Sequence, residues 1–299
     1  MKKFRCLLAG AAFLVCLLFL AAPVSASSVR QTGASGATVD LSWKRQEKAA
    51  YYKIYYKLAS ERAYHYLKDV KASGENCAAS LKLPKAGRIY RIQLVPYDQS
   101  KRKGTAVSLT DCRTLPGKIS LRSQKSYATS KSMKLYWNGE ESAKGYEFYV
   151  TDLAGGLVKR CKTEGKASMT MTGLDAGEFY RVRIRGYFSI GKKNIYGPAS
   201  YTYIAQQPRV KFKWASHCVV GAYWPDVLGA INYTVYMSEN PSRGFKKVTT
   251  VPQAEAYIPG LRRDRKYYVY VKANLRKGQK TYASPKTHYY SFRMQGDES

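Results

Sequence analysis

Acidic side chains are scarce in this chain and histidines scarcer still. Of 299 residues only 20 are Asp or Glu and three are His, against 51 Lys or Arg, for a formal net charge of +31. Acid–base and metal chemistry need carboxylates, imidazoles or thiolates gathered at defined spacings. Here His65, His217 and His288 lie far apart at unmatched positions, and the adjacent acids Glu140-Glu141 read as a solvated turn. No Gly-x-Ser-x-Gly elbow, His-Glu-x-x-His or phosphate-binding glycine loop occurs. These absences argue against an enzyme, and no catalytic residue, cofactor or metal is expected. Cysteine is sparse too. Cys77, Cys112, Cys161 and Cys218 share no common spacing and form no Cys-x2-Cys pair, so they read as mostly free thiols, a bridge between repeats staying open.

Long apolar runs are missing apart from one. It extends from Cys6 to Val24, behind Lys2, Lys3 and Arg5 and ahead of Val24-Ser25-Ala26. That order predicts an export signal over 1–26, cleaved after Ala26. An uncleaved membrane anchor is the alternative for a run this long. A lipoprotein signal fits poorly, because Val15 precedes Cys16 where a small residue belongs. The expected mature chain has no membrane span, starts near Ser27 and carries +28. This excess is spread evenly, +10 over 27–116, +8 over 117–208 and +10 over 209–299. Such a surface attracts polyanions in a salt-dependent way. Outside a cell these are wall polymers, acidic polysaccharide, anionic membrane or free nucleic acid. A merely solvated basic surface is the alternative.

No stretch shows a sustained 3.6-residue apolar period. What the chain has instead is a repeat, Trp-x5-Ala-x2-Tyr-x-(Ile/Phe/Val)-Tyr. Its copies are Trp43/Ala49/Tyr52/Ile54/Tyr55, Trp137/Ala143/Tyr146/Phe148/Tyr149 and Trp224/Ala230/Tyr233/Val235/Tyr236. The tryptophans are 94 and then 87 residues apart, so one module of about 90 residues occurs three times. Strict alternation surrounds each Trp, as in Val39, Leu41 and Trp43 against Asp40 and Ser42, which is the pattern of a half-buried strand. About 45 residues after each Trp comes Leu83…Tyr90, Leu174…Tyr180 or Leu261…Tyr267, and each of these tyrosines opens another alternating strand.

The Trp on the second strand, the Tyr-x-aliphatic third strand and the Leu…Gly-x-x-Tyr corner resemble fibronectin type III domains. Gly145-Tyr146-Glu147 is similar in particular to the third strands of tandem modules in secreted Gram-positive proteins. The resemblance is closest in the second copy; the third has Asp264 where the corner usually has Gly, and the first carries an extra residue between Leu83 and Tyr90. It implies an all-β chain of immunoglobulin-like, seven-stranded antiparallel sandwiches, with sheets of three and four strands. The implied modules are 27–116, 117–208 and 209–299, joined by short Pro-containing linkers at Leu115-Pro116-Gly117 and Gln207-Pro208-Arg209, which favour a semi-rigid row. It further implies structural roles for Trp43, Trp137 and Trp224, and for the corner tyrosines Tyr90, Tyr180 and Tyr267, whose hydroxyls should bond nearby backbone.

Alternation also predicts which residues leave the core. On the third and sixth strands, Tyr55, Arg91 and Gln93 should face solvent in the first module. Tyr149, Arg181, Arg183 and Arg185 should do so in the second, and Tyr236, Tyr268, Tyr270 and Lys272 in the third. The loops after the sixth strand add Lys101-Arg102-Lys103, Lys192-Lys193 and Arg276-Lys277. Aromatic rings stack on sugar or base faces while Arg and Lys meet carboxylate or phosphate. Exposed Tyr and Arg also serve as ordinary cross-strand pairs. The expectation is a secreted, non-catalytic adhesion or spacer protein held by charge to anionic wall polymer or acidic polysaccharide, possible partners also including other surface proteins and non-specific nucleic acid. The alternative is a carbohydrate-binding accessory protein that reads neutral sugar on its tyrosine face.

Overall fold

Valine, leucine and isoleucine alternating with polar residues cannot bury one side as a helix, whose apolar stripe needs a different period. The computed structural model describes residues 28–294 except 123–126, 129–131, 176, 207, 217 and 285–288. Segment 1–26, His217, Gln207 and His288 therefore lie outside the described residues. Among those described there are 23 strands and no helix, and every paired strand runs antiparallel to its neighbour. No helix of the described residues is long and apolar enough to cross a membrane.

The first group of strands is β1 (Arg30–Ser35), β2 (Thr38–Lys44), β3 (Tyr51–Leu58), β4 (His65–Lys71), β5 (Asn76–Lys82), β6 (Ile89–Tyr97) and β7 (Val107–Arg113). They form a sheet ordered β1-β2-β5 and one ordered β4-β3-β6-β7, the three-on-four arrangement expected. The second group is β8 (Tyr127–Ala128), β9 (Ser132–Tyr136), β10 (Gly145–Thr151), β11 (Leu157–Glu164), β12 (Ser168–Thr172), β13 (Phe179–Ile190), β14 (Lys193–Tyr196) and β15 (Ser200–Ala205). The third is β16 (Lys211–Ser216), β17 (Val219–Tyr223), β18 (Asn232–Ser238), β19 (Lys246–Val251), β20 (Glu255–Ile258), β21 (Lys266–Lys277), β22 (Lys280–Ala283) and β23 (Tyr290–Arg293). Their small sheets are β12-β9-β8 and β16-β17-β20.

The large sheets depart from four strands in the second and third groups. Their last edge is split: β14 pairs with the far end of β13 and β15 with its near end, and β22 and β23 divide β21 in the same way. In the second group the break falls at Gly197-Pro198. Gly197 N–H still donates to Gly186 O at 2.9 Å, but Pro198 has no N–H to continue the ladder.

The repeated Trp-x5-Ala-x2-Tyr spacing has a geometric cause. The residue three after each Trp donates its backbone N–H to the hydroxyl of the motif Tyr. These bonds are Gln46 to Tyr52, Glu140 to Tyr146 and Val227 to Tyr233, each 2.8 Å. The same three residues accept from the N–H of Ala49, Ala143 and Ala230 at 3.1, 3.1 and 2.9 Å. Each turn is thus closed by the Ala and held down by the Tyr, whose ring meets the Trp edge-on at 5.3, 5.1 or 5.4 Å. At the later corner, the Tyr90, Tyr180 and Tyr267 hydroxyls accept from the N–H of Lys85, Asp175 and Arg262 at 3.0, 2.9 and 2.8 Å. Asp264 takes φ 58° where the first corner has Gly87 at φ 74°, a left-handed conformation that Asp tolerates better than most residues.

Three buried clusters lie between the sheets, centred on Trp43, Trp137 and Trp224. The turn after the second and third Trp docks on the preceding corner. At the first junction Ser142 N–H donates to Gly87 O (3.2 Å), and Arg113 Nη1 donates to Ser142 O (3.1 Å). Glu140 Oε2 accepts from Gly117 N–H (3.2 Å), while Glu141 accepts from Arg88 Nη1 (2.9 Å) and Ile89 N–H (3.4 Å). Glu140-Glu141 forms the turn expected and Glu141 stays exposed, but its carboxylates also meet Arg88, Ile89 and Gly117 of the preceding corner and linker. The second junction is apolar. Leu228 N–H donates to Gly177 O (2.7 Å), Phe179 N–H donates to Leu228 O (3.1 Å), and Phe179 and Ala205 are buried in the third cluster.

Candidate aromatic–cationic face of the second sandwich

Register brings the expected residues together on β10, β11 and β13. Tyr149 stands opposite Arg160 on one side and Arg183 on the other. Both guanidinium groups lie against its ring, at 4.9 and 4.0 Å from the centroid. Arg185 covers Tyr196 at 3.6 Å, and Arg181 covers Tyr201 at 4.5 Å. Register sets Tyr149 and Tyr201 opposite Arg183 and Glu147 opposite Arg185, while Tyr201 and Tyr196 reach Arg181 and Arg185 as diagonal neighbours. The result is a ladder in which cations and rings alternate. Stacking of this kind contributes about 0.5–1 kcal/mol per exposed pair and fixes the guanidinium planes.

Under the ladder sits Glu147, with its carboxylate fully buried. Arg185 donates from Nε (3.0 Å) and Nη2 (2.7 Å) to Oε2. Arg160 Nη2 (2.9 Å) and the Tyr196 hydroxyl (3.3 Å) donate to Oε1, and Lys162 Nζ lies 3.8 Å away. Burial alone would raise the Glu147 carboxyl, but the bonds from Arg160 and Arg185 outweigh it and hold it below the usual carboxylate range. One carboxylate thus anchors Arg160 and Arg185 and draws in Lys162, on a face that also bears Arg181 and Arg183. Arg181 and Arg160 are exposed, and Arg183 Nε is buried with no hydrogen-bond partner among the described residues. Lys192 and Lys193 extend the charge at the tip between β13 and β14, both exposed.

The third sandwich differs from expectation. Tyr236 and Tyr270 stack at 4.8 Å and 14°, but Tyr270 is only 5% exposed and does not face solvent. Phe245 closes over it at 5.0 Å, which sequence alternation does not show, and burial pushes the Tyr270 hydroxyl up to about 12. Lys272 lies 5.8 Å from the Tyr236 ring, and Tyr268 meets Tyr289 edge-on at 5.0 Å. In the first sandwich Tyr55 meets Tyr66 at 5.8 Å and pairs with Gln93, while Arg91 is exposed. Rings and cations alternate there too, with Lys53 6.0 Å from the Tyr66 ring and 5.6 Å from that of Tyr97, but the cations are lysines and no buried carboxylate of the described residues lies among them.

Glu147, Arg160, Lys162, Tyr196 and Tyr201 belong to the face and were missed. Alternation from Tyr149 already places Glu147 on the same side, and Arg160 and Lys162 share their own strand's period. Tyr196 and Tyr201 needed the split edge strand, which the sequence does not announce. The four cysteines are free, and burial pushes the Cys112 thiol up to about 12, away from nucleophilic use. Among the described residues no three His, Cys, Asp or Glu side chains gather as metal ligands.

No family model and no curated protein matches the chain. Among solved structures it is similar to the FN1–FN3 domains of chicken CNTN1, at 13% identity and a TM-score of 0.33, over 90% of this chain and 98% of that one. It is also similar to a two-domain fibronectin type III segment of chicken tenascin, at 19% identity and a TM-score of 0.33, over 60% of this chain and 98% of that one. Both structural neighbours are tandem fibronectin type III domains.

Proposed function

We propose that this chain is a non-catalytic, exported adhesion or spacer protein of the secreted Gram-positive type. Its three modules, 27–116, 117–208 and 209–299, hold it to anionic wall polymer or acidic polysaccharide. The observation that carries this reading is the ladder on the second sandwich, where rings and a buried carboxylate hold five cations on one exposed sheet. Guanidinium groups held in this way lose little side-chain freedom when they meet a carboxylate, sulfate or phosphate. The rest of the positive charge draws the polymer to the surface over about a Debye length, roughly 8 Å at physiological salt. Two docked junctions support a row that displays this face at a distance from an attachment point.

The test is binding of the mature chain to acidic polysaccharide, wall polymer, DNA and neutral glycan at low and high salt. Acidic polysaccharide binding that weakens steeply with salt is expected. Arg181→Ala/Arg183→Ala should lower affinity about tenfold and flatten the salt dependence, as expected when cations that release counterions are lost. Unchanged binding by that variant would sink the site. Salt-resistant binding to a neutral glycan would favour the carbohydrate-reading alternative, and a preference for DNA would redirect the proposal to nucleic acid.

A further inference from the structure

A cleft of about 660 Å3 opens between β15 of the second sandwich and β22 of the third. That volume falls within the roughly 300–1,000 Å3 of small-ligand sites. Its apolar floor includes Ile119, Leu121 and Ile204, the open side of the second core. Tyr203 and Tyr282 meet across it at 4.9 Å and 62°. Lys272 and Lys280 also line it, as do several Ser and Thr residues, and among the described residues no acidic side chain does. Lys280 Nζ lies 5.1 Å from the Tyr282 ring, and Lys277 Nζ lies 5.9 Å from that of Tyr203.

The cleft also joins the two aromatic faces. Tyr201, the last ring of the ladder and the partner of Arg181, lines it from one side. Lys272, which reaches over Tyr236 of the third sandwich, lines it from the other.

We propose that this cleft is a subsite for one or two acidic pyranose residues of a linear polysaccharide, their carboxylates meeting Lys280 and Lys272 and their C–H faces packing on the tyrosines. The chemistry is that of a uronate. Rings in edge-to-face contact at 62° form no parallel slot for a planar base and leave only their outer surfaces to a sugar's C–H groups. Hydroxyl-bearing Ser and Thr suit a polyhydroxylated ligand, and the ammonium groups supply point charges for its anionic groups, with polyphosphate left as the comparison that separates uronate from phosphate. This inference rests on the acidic-polymer reading above and adds to it a place and a residue class.

The experiment titrates the mature chain calorimetrically with an unsulfated uronate-containing hexasaccharide. A neutral glucose hexasaccharide of equal length and inorganic polyphosphate serve as comparison probes. Saturable binding of the acidic hexasaccharide is expected, with the neutral one at least tenfold weaker. Lys280→Ala/Tyr282→Ala should reduce acidic hexasaccharide affinity at least tenfold, whereas Lys71→Ala/Lys82→Ala, which removes two exposed cations of the first sandwich, should change it no more than threefold. Lys280→Gln, a charge change on an exposed residue that keeps the fold, should cost about fivefold. Equal affinity in both cleft variants overturns the subsite, as does stronger binding of polyphosphate in the wild type. If long acidic polymer still binds through the ladder in that case, the functional reading stands and the subsite alone falls. If the hexasaccharide needs the cleft while polymer binding ignores the ladder, the subsite stands and the ladder falls.

Discussion

Glu147 shows how one residue's role depends on what its neighbours place around it. In the sequence it is one of few acids, part of a Gly-Tyr-Glu strand. In the fold its buried carboxylate receives Arg160, Arg185 and Tyr196. Losing the charge while keeping an acceptor, as in Glu147→Gln, should cost about 1.5–3 kcal/mol, the range for hydrogen bonds to charged groups. The pH dependence has a definite sign. Because the folded carboxyl lies below its unfolded value of about 4.3, its stabilisation is complete above that pH and is lost as pH falls through the lower, folded value. Urea unfolding from pH 7 to pH 3 should therefore show the wild type approaching Glu147→Gln only below about pH 4.3. A constant gap across the whole range would argue against the charged cluster.

Among elements, the turn after each Trp and the strand that follows were the most legible. Trp, Ala and Tyr at fixed spacing encode a closed turn, because each makes a contact within one short segment. What the turn then touches is not local. Glu140-Glu141 and Val227-Leu228 occupy the same place in their copies, yet one meets Arg88 and Gly117 and the other meets Gly177 and Phe179. The split edge of β14 and β15 was equally hidden, since it arises where Gly197 keeps a ladder bond and Pro198 cannot. At the second junction Leu153 lies over Gly229, whose φ of 88° and lack of Cβ let the side chain approach. Leu153→Ala should weaken that junction by about 1–2 kcal/mol, less than a full core truncation because Leu153 is half-buried. Faster protease cleavage between the second and third sandwiches would register the loss; an unchanged rate would place the junction's strength elsewhere.

At the scale of the whole molecule the two junctions differ in kind. Both are closed by backbone hydrogen bonds, but the first adds carboxylates and the second adds apolar burial in which Phe179 and Ala205 join the third cluster. Cooperativity travels through packed apolar contact more readily than through exposed ion pairs, which contribute only about 0–1 kcal/mol each. Calorimetry of the mature chain should therefore show two transitions, the first sandwich melting apart and the second and third together. Leu153→Ala should broaden or split the joint transition, and three independent transitions in the wild type would refute the coupling.

The all-β class, the three tryptophan turns and the tyrosine corners were determined by the sequence itself, because strand alternation and tight-turn bonds depend on residues only a few positions apart. Only the tertiary structure decided that Tyr270 is covered, that Glu147 binds two arginines beneath the ladder, and that a Tyr- and Lys-lined cleft lies between β15 and β22. Those facts depend on pairs such as Phe245 with Tyr270, Glu147 with Arg185 and Tyr203 with Tyr282, whose meeting requires strands far apart in the chain to be paired or sandwiches to be docked. Alternation says which way a side chain points, and packing between distant segments says what it meets.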